Sequence, residues 1–262
     1  MIDAINLYKT FGGNQVLKGL NLTIETGVTQ VIIGRSGCGK SVFLKNIIGI
    51  LKPESGQVII DGQDVTKMTG KELSDLRMKF GMLFQGAALF DSLTVAENVG
   101  FNLIEHTDTD SQTIAKRVKE ALSLVGLYGI EELMPSELSG GMKKRVGLAR
   151  AICMHPKIIL YDEPTTGVDP IMADAVNELI MRLHDKLEIT SIVVTHDMVS
   201  AYKVASKIAM LYDGRIVEEG TPDQIKNTIN PIVKQFITGA AKGPITENES
   251  FNQSTIKKGE RI

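Results

Sequence analysis

The sequence predicts an α/β protein built on a parallel β-sheet and carrying a helical insertion. Residues 158–161 and 191–195 are β-branched-rich apolar runs. Between them Ala175, Val176, Leu179, Ile180 and Leu183 share one helical face. Strand, helix, strand in that order is a βαβ unit and requires parallel pairing. From about residue 72 to 155 the texture changes, and Ile114, Val118, Ala121, Leu122 and Val125 recur at the spacing of an amphipathic helix.

The remaining elements follow in order. Residues 16–24 alternate apolar and polar as a strand does, and residues 30–33 form a short buried run ending in glycine. A helix should start at Lys40 and continue through Val42, Phe43, Leu44, Ile47 and Ile48. Residues 56–60 give another strand, closed by Asp61 and Gly62, a pair suited to a tight hairpin turn. Near the C-terminal end, residues 208–212, an Asp213-Gly214 turn and residues 215–218 make a closing hairpin. From about Gly239 the chain thins to polar residues with Phe251 and Ile256 as isolated apolar positions, a composition that predicts no packed core.

Composition narrows the function classes. A chain of 262 residues can bury a large core, and a formal net charge of -2 gives no electrostatic case for a nucleic-acid partner. Two cysteines, Cys38 and Cys153, make no disulfide framework and fit a reducing compartment. No stretch approaches 18 uninterrupted apolar residues and the N-terminus lacks a basic segment followed by an apolar run. A cytoplasmic chain that neither crosses a membrane nor is secreted is expected.

Gly34, Arg35, Ser36, Gly37, Cys38, Gly39, Lys40 and Ser41 fit the pattern of a phosphate-binding loop, placed between a strand and a helix. Glycines let backbone N–H groups wrap an anion and the helix start adds positive partial charge. Lys40 can neutralise outer phosphates, and Ser41 can ligate magnesium. Residues 158–163 are an apolar strand ending in Asp162 and Glu163. In a parallel sheet such a strand delivers carboxylates to the edge where nucleotide sites form. Asp162 suits magnesium, directly or through water, and Glu163 suits polarising an attacking water. Thr195 and His196 follow the next strand in the same way, so His196 is either structural or a contact to a terminal phosphate. Ser139, Gly140 and Gly141 read locally as a helix start, either an ordinary cap or a second anion site. Lys143, Lys144 and Arg145 read as a solvated helix face.

Taken together, GRSGCGKS, Gln85, LSGGM, ILYDEP, Asp169 and His196 in this order resemble the ATP-binding cassette family across roughly residues 1 to 240. The resemblance implies a P-loop NTPase of RecA-like fold with an antiparallel β-subdomain and a helical subdomain at about residues 86–155. It further implies ATP and Mg2+ as cofactors and a head-to-tail dimer with a second copy of the chain. Each ATP would lie between one phosphate loop and the other subunit's Ser139, Gly140 and Gly141. Glu163, His196 and Gln85 are implied as catalytic, with Gln85 also sensing the metal beside Ser41 and Asp162. Asp169 would link the two sites, and Phe11 would stack on adenine unless it is a core aromatic. Met142 departs from the usual glutamine, and residues 165–168 depart from the commoner serine-alanine-leucine pattern.

The stretch from Phe80 to Val99, and residues 133–137, resemble the ATPases of Mla-type, MCE-linked lipid transport systems. That implies phospholipid transport between inner and outer membranes with a separate permease and an MCE-domain protein. The chain would sit at the cytoplasmic face of the inner membrane, peripheral through the permease. Ala87, Ala88, Leu89 and Phe90 form an apolar patch that, if exposed, receives a permease helix, unless Leu89 and Phe90 pack the helical subdomain. Residues 241–262 are expected to be disordered or to dock on the partner subunit. The rival readings are the ATPase of another importer and an envelope regulator without transport. A soluble cassette acting on DNA or ribosomes is not expected, since that reading normally wants two cassettes in one chain, a long coiled-coil insertion or basic extensions, and none is read in these residues.

Overall fold

The computed structural model describes residues 1–247. In chain order the first half holds β1 (Ile2–Phe11), β2 (Asn14–Ile24), β3 (Thr29–Ile33), α1 (Lys40–Ile47), β4 (Ser55–Ile60), β5 (Gln63–Asp64), α2 (Gly70–Arg77), β6 (Phe80–Leu83), α3 (Val95–His106) and α4 (Ser111–Leu124). The second half holds α5 (Gly140–Ile152), β7 (Ile158–Asp162), α6 (Pro170–Leu187), β8 (Thr190–Thr195), α7 (Met198–Val204), β9 (Lys207–Tyr212), β10 (Arg215–Gly220), α8 (Pro222–Lys226) and α9 (Pro231–Thr238).

The central sheet has the order β10-β9-β3-β8-β7-β6 and is parallel except for the β9–β10 hairpin. Its middle strands β3, β7 and β8 are buried along their whole length, as expected when both faces of a parallel sheet are covered. Successive residues point to opposite faces and so divide the core in two. Val31, Ile33, Ile159, Tyr161 and Val193 pack on the side of α5 and α6. Ile32, Leu160, Ile192 and Val194 pack against Phe43 and Leu44 of α1 and against Leu7, Leu20 and Val58 of the second sheet. That sheet is antiparallel, in the order β2-β1-β4-β5. Both hairpin turns expected from Asp-Gly pairs form with positive φ at the two residues, 49° and 82° at Asp61 and Gly62, 46° and 74° at Asp213 and Gly214.

The helices α3, α4 and α5 lie in sequence between β6 and β7 and pack together around Val99, Leu103, Val118, Leu122 and Val146. Each starts at a side-chain cap: Thr94, Asp110 and Ser139. One correction concerns the stretch read as wholly helical. Within it, β6 is an edge strand paired with β7, too short at four residues to show a period. Gly81 lets it lie close to α5, since a Cβ there would be 2.3 Å from the Ala151 carbonyl oxygen.

The first residues beyond Gly239 turn back onto α9. Ile245 is buried, and the buried Gln235 side chain accepts from the Ile245 N–H at 2.8 Å and donates to the Ala240 carbonyl at 3.1 Å. One apolar residue and one amide hub thus hold residues 240–247 against α9 of the same chain. Phe251 and Ile256, the apolar positions through which the tail would dock if it is not disordered, lie outside the described residues. Among the described residues no helix is long and apolar enough to cross a membrane.

Candidate functional site

The loop between β3 and α1 turns where no side chain fits. A Cβ on Gly34 would lie 2.5 Å from the Leu211 carbonyl oxygen. Gly39, with φ of 110°, is the N-cap of α1 and supplies no side-chain cap, so the first N–H groups of the helix are left for another acceptor. Lys40 is buried, and its Nζ donates to the carbonyls of Gly34 at 2.7 Å and Arg35 at 3.0 Å while lying 3.2 Å from Glu163 Oε1. The loop therefore holds its own lysine inward.

The two carboxylates arrive at the C-terminal end of β7. Ser41 Oγ donates to Asp162 Oδ1 at 2.8 Å, which sets two oxygens of the type hard cations prefer side by side. Burial pushes the Asp162 carboxyl up from its ordinary range, and the Ser41 hydroxyl pulls the other way. Glu163 adopts φ of 50°, a left-handed conformation that costs a non-glycine residue about 1 kcal/mol or more and persists only where surroundings enforce it. The enforcement is visible: its N–H donates to the Val194 carbonyl at 2.9 Å, and its Oε2 meets His196 Nδ1 at 2.9 Å. Thr166 Oγ1 adds a longer contact at 3.3 Å.

A cleft of about 290 Å³ gathers Ser36, Gly37, Gly39, Lys40, Ser41, Gln85, Glu163 and His196, and Asp162 joins it through Ser41. Sequence reasoning named all of these. It missed Val16 and Val42, which also line the cleft; apolar positions of a strand or helix give no signal of which one faces a ligand. Arg35 is exposed and contributes its carbonyl, and Cys38 is half-buried with its thiol pushed up by burial.

Other named residues lie apart from this cleft. Phe11 ends β1, exposed, with the Lys9 ammonium 5.3 Å from its ring centre. Ser139 caps α5 by accepting from the Met142 N–H, and it and Gly140 are exposed, whereas Gly141 is buried beside Met172. Asp169 caps α6 by accepting from the N–H groups of Ile171 and Met172.

The segment after Gln85 corrects the reading of Lys144 as part of a solvated face. Lys144 is buried rather than solvated, and its Nζ donates to the Gln85 carbonyl. Arg150 donates to the carbonyls of Ala87 at 2.6 Å and Ala88 at 2.7 Å. The apolar run is divided: Ala87 is buried and Leu89 packs against the helical core, while Ala88 and Phe90 are exposed.

Comparison with known proteins agrees with this geometry. The ABC transporter family profile matches residues 17–166. The chain is 41% identical over 261 residues to the probable ribonucleotide transport ATP-binding protein mkl of Mycobacterium tuberculosis, covering 100% of this chain and 73% of that protein. It is also 41% identical over 245 residues to the intermembrane phospholipid transport system ATP-binding protein MlaF of Haemophilus influenzae, covering 94% of this chain and 93% of that one. Among solved structures, the dimeric post-hydrolysis state of the ATP-binding cassette MJ0796 bound to ADP and Pi superposes with a TM-score of 0.78 at 33% identity, over 85% of this chain and 99% of that chain. A phosphate cradle on β3 and α1, carboxylates at the end of β7 and these matches together show that the chain belongs to the ABC transporter family, as an ATP-binding subunit.

Proposed function

We propose that this subunit powers phospholipid transport between membranes, working as a head-to-tail dimer beneath a separate permease with an MCE-domain protein as a further partner. ATP hydrolysis itself follows from family membership. The observation that carries the two-subunit reading is the separation of the site into two parts. Lys40, Glu163, His196 and Gln85 share one cleft, whereas the exposed start of α5 at Ser139 and Gly140 lies outside it. A second copy turned head to tail would bring its Ser139, Gly140 and Gly141 over this cleft, with Asp169 at the seam and Phe11 against the adenine. Two solved structures of the similar cassette MJ0796 are dimeric, which supports this reading.

Ser41, Asp162 and Gln85 would hold magnesium, which would supply positive charge to offset that of the phosphates. Around it the chain's own groups divide the work. The α1 start and Lys40 orient the phosphates, Glu163 takes a proton from the attacking water, and His196 holds Glu163 from the far side.

The lipid assignment rests on the Haemophilus relative and on residues 80–99. A groove of about 410 Å³ between the sheet and the helical unit is lined by Phe80, Phe84, Phe90 and Phe101 together with Arg77 and Arg150, an aromatic seat with basic residues for a permease helix at the cytoplasmic face of the inner membrane. The name of the mycobacterial relative supports a second reading, ribonucleotide transport. Reconstituting the chain with its genomically adjacent permease in vesicles and following labelled phospholipid transfer on ATP addition tests the proposal. ATP-dependent ribonucleotide uptake without lipid movement would overturn it, and so would an envelope phenotype with no transport of either.

A further inference from the structure

Lys144 stands out among the charged residues of α5. Lys143 and Arg145 on either side are half-buried, but Lys144 is only 7% exposed. A desolvated ammonium is retained only where partners compensate it. Its Nζ donates to the carbonyl of Gln85, and the charges of Asp162 and Glu163 act on it against the burial that lowers its pKa. Six residues on, Arg150 donates to the carbonyls of Ala87 and Ala88. Two cations of one helix therefore hold three carbonyls of one loop.

The far end of that loop is fixed to the same helical unit. Asn98 of α3 is fully buried, accepts from the Phe90 N–H at 2.8 Å and donates to the carbonyls of Phe90 at 3.1 Å, Leu93 at 3.0 Å and Thr94 at 3.0 Å. Ala87 and Ala88 have φ of 61° and 47°, a left-handed pair that a free chain of alanines avoids. From Gln85 to Thr94 the backbone is thus bonded to α3 and α5, and it runs on from β6, the strand on which α5 packs at Gly81.

We propose that Lys144 is a positioning residue for hydrolysis, tying the carbonyl of Gln85 to the helix that begins at Ser139 so that the two move as one piece. The inference rests on the roles read above for Gln85 and Ser139. Its consequence is directional: when the start of α5 engages the nucleotide of the other subunit, the Gln85 of its own subunit is carried with it. Lys144 need not touch nucleotide for this.

Steady-state ATP hydrolysis by the full chain, with Mg2+ and varied ATP, tests the proposal in Lys144→Met, Lys144→Arg and Gln85→Ala. Lys144→Met should lower kcat roughly tenfold to a hundredfold, the loss typical of a misplaced catalytic group, while KM for ATP stays within about twofold because the Lys40 cradle is intact. Lys144→Arg should restore most of kcat. Wild-type kcat in Lys144→Met alongside a loss in Gln85→Ala overturns the Lys144 role alone; wild-type kcat in Gln85→Ala removes the Gln85 reading beneath it. A loss that Arg does not restore, with KM rising in step, also overturns the proposal. Hydrogen exchange on the wild-type chain gives a reading that needs no variant. On adding Mg-ATP, amides of residues 86–90 should change protection together with those of 140–150, and a change confined to one segment overturns the coupling.

Discussion

Lys40 Nζ lies 3.2 Å from Glu163 Oε1, so the cation of the phosphate loop and the acid at the end of β7 neutralise each other inside one cleft. Both side chains are at least nine-tenths buried, and each has other partners: two loop carbonyls for Lys40, His196 for Glu163. An incoming polyphosphate competes with Glu163 for the Lys40 ammonium. In the role proposed for Glu163, engagement of nucleotide would free the acid toward water and so couple binding to activation of the base.

Glu163→Gln follows from that competition. The amide removes the proton acceptor and also the charge that holds Lys40, so phosphate affinity should rise as turnover falls. The expected outcome is a kcat loss of roughly 100-fold or more, the usual range for a general base. ATP should bind more tightly and the dimer should persist in its presence. Nucleotide titration and size-exclusion chromatography with Mg-ATP check this, and near-normal turnover would remove Glu163 from the base role.

Asp162→Asn separates stability from function. Burial raises the folded-state carboxyl above its ordinary value, so the folded protein holds the proton more tightly than the unfolded chain. Below the ordinary carboxylate range both states are protonated and the group is neutral to stability. As pH rises through the raised value the ionised form is disfavoured in the fold, and a penalty persists at neutral pH. Asparagine keeps an acceptor for Ser41 and lacks that penalty. In the absence of nucleotide and magnesium, Asp162→Asn should therefore melt higher than wild type at pH 7, with the gap closing as pH falls through the carboxylate range. Magnesium-dependent hydrolysis should be lost. A lower melting temperature at pH 7 would contradict the assignment of burial as the dominant influence.

These two acids, Lys40, Ser41 and His196 were legible in the sequence because each sits within a residue or two of a strand end or helix start. Local pattern and parallel topology suffice to bring such positions to one edge. Lys144 was not legible. Its acceptor is 59 residues away, and flanked by Lys143 and Arg145 it has the appearance of a charge run. Likewise β6 was hidden by its length, and the closing of residues 240–247 onto α9 depends on one glutamine whose partners lie 5 to 11 residues ahead. What the sequence concealed is side chains whose role is set by a contact and not by a spacing.

Gly81→Val should destabilise the fold without touching the cleft. A Cβ at this position meets the Ala151 carbonyl oxygen at 2.3 Å and the Ala151 carbonyl carbon at 3.0 Å, both backbone atoms of α5 that cannot rotate away. Either β6 or α5 must shift, a strain of about 1–3 kcal/mol typical of overpacked sites. Urea unfolding should show a lower midpoint with an unchanged slope. A midpoint equal to wild type would mean that the β6–α5 contact is looser than drawn.

Phe90→Asp addresses the surface where the permease is proposed to sit. The Phe90 ring is 43% exposed, lies 4.6 Å from the Phe101 ring centre at 35°, and has the Arg150 guanidinium 5.9 Å from its own centre. Its backbone is held independently by Asn98, so the substitution removes an apolar surface and leaves the loop in place. An aspartate beside Arg150 is partly compensated, and the cost to the isolated subunit should be about 1 kcal/mol, in keeping with a half-exposed position. ATP binding by the purified chain should be retained because Lys40 and the α1 start are elsewhere. Co-purification with the permease should be lost, since the substitution takes an aromatic anchor out of the seat formed with Phe80, Phe84 and Phe101. Permease retained at wild-type stoichiometry would show that the groove is not the seat and that Phe90 serves only to cap the helical unit.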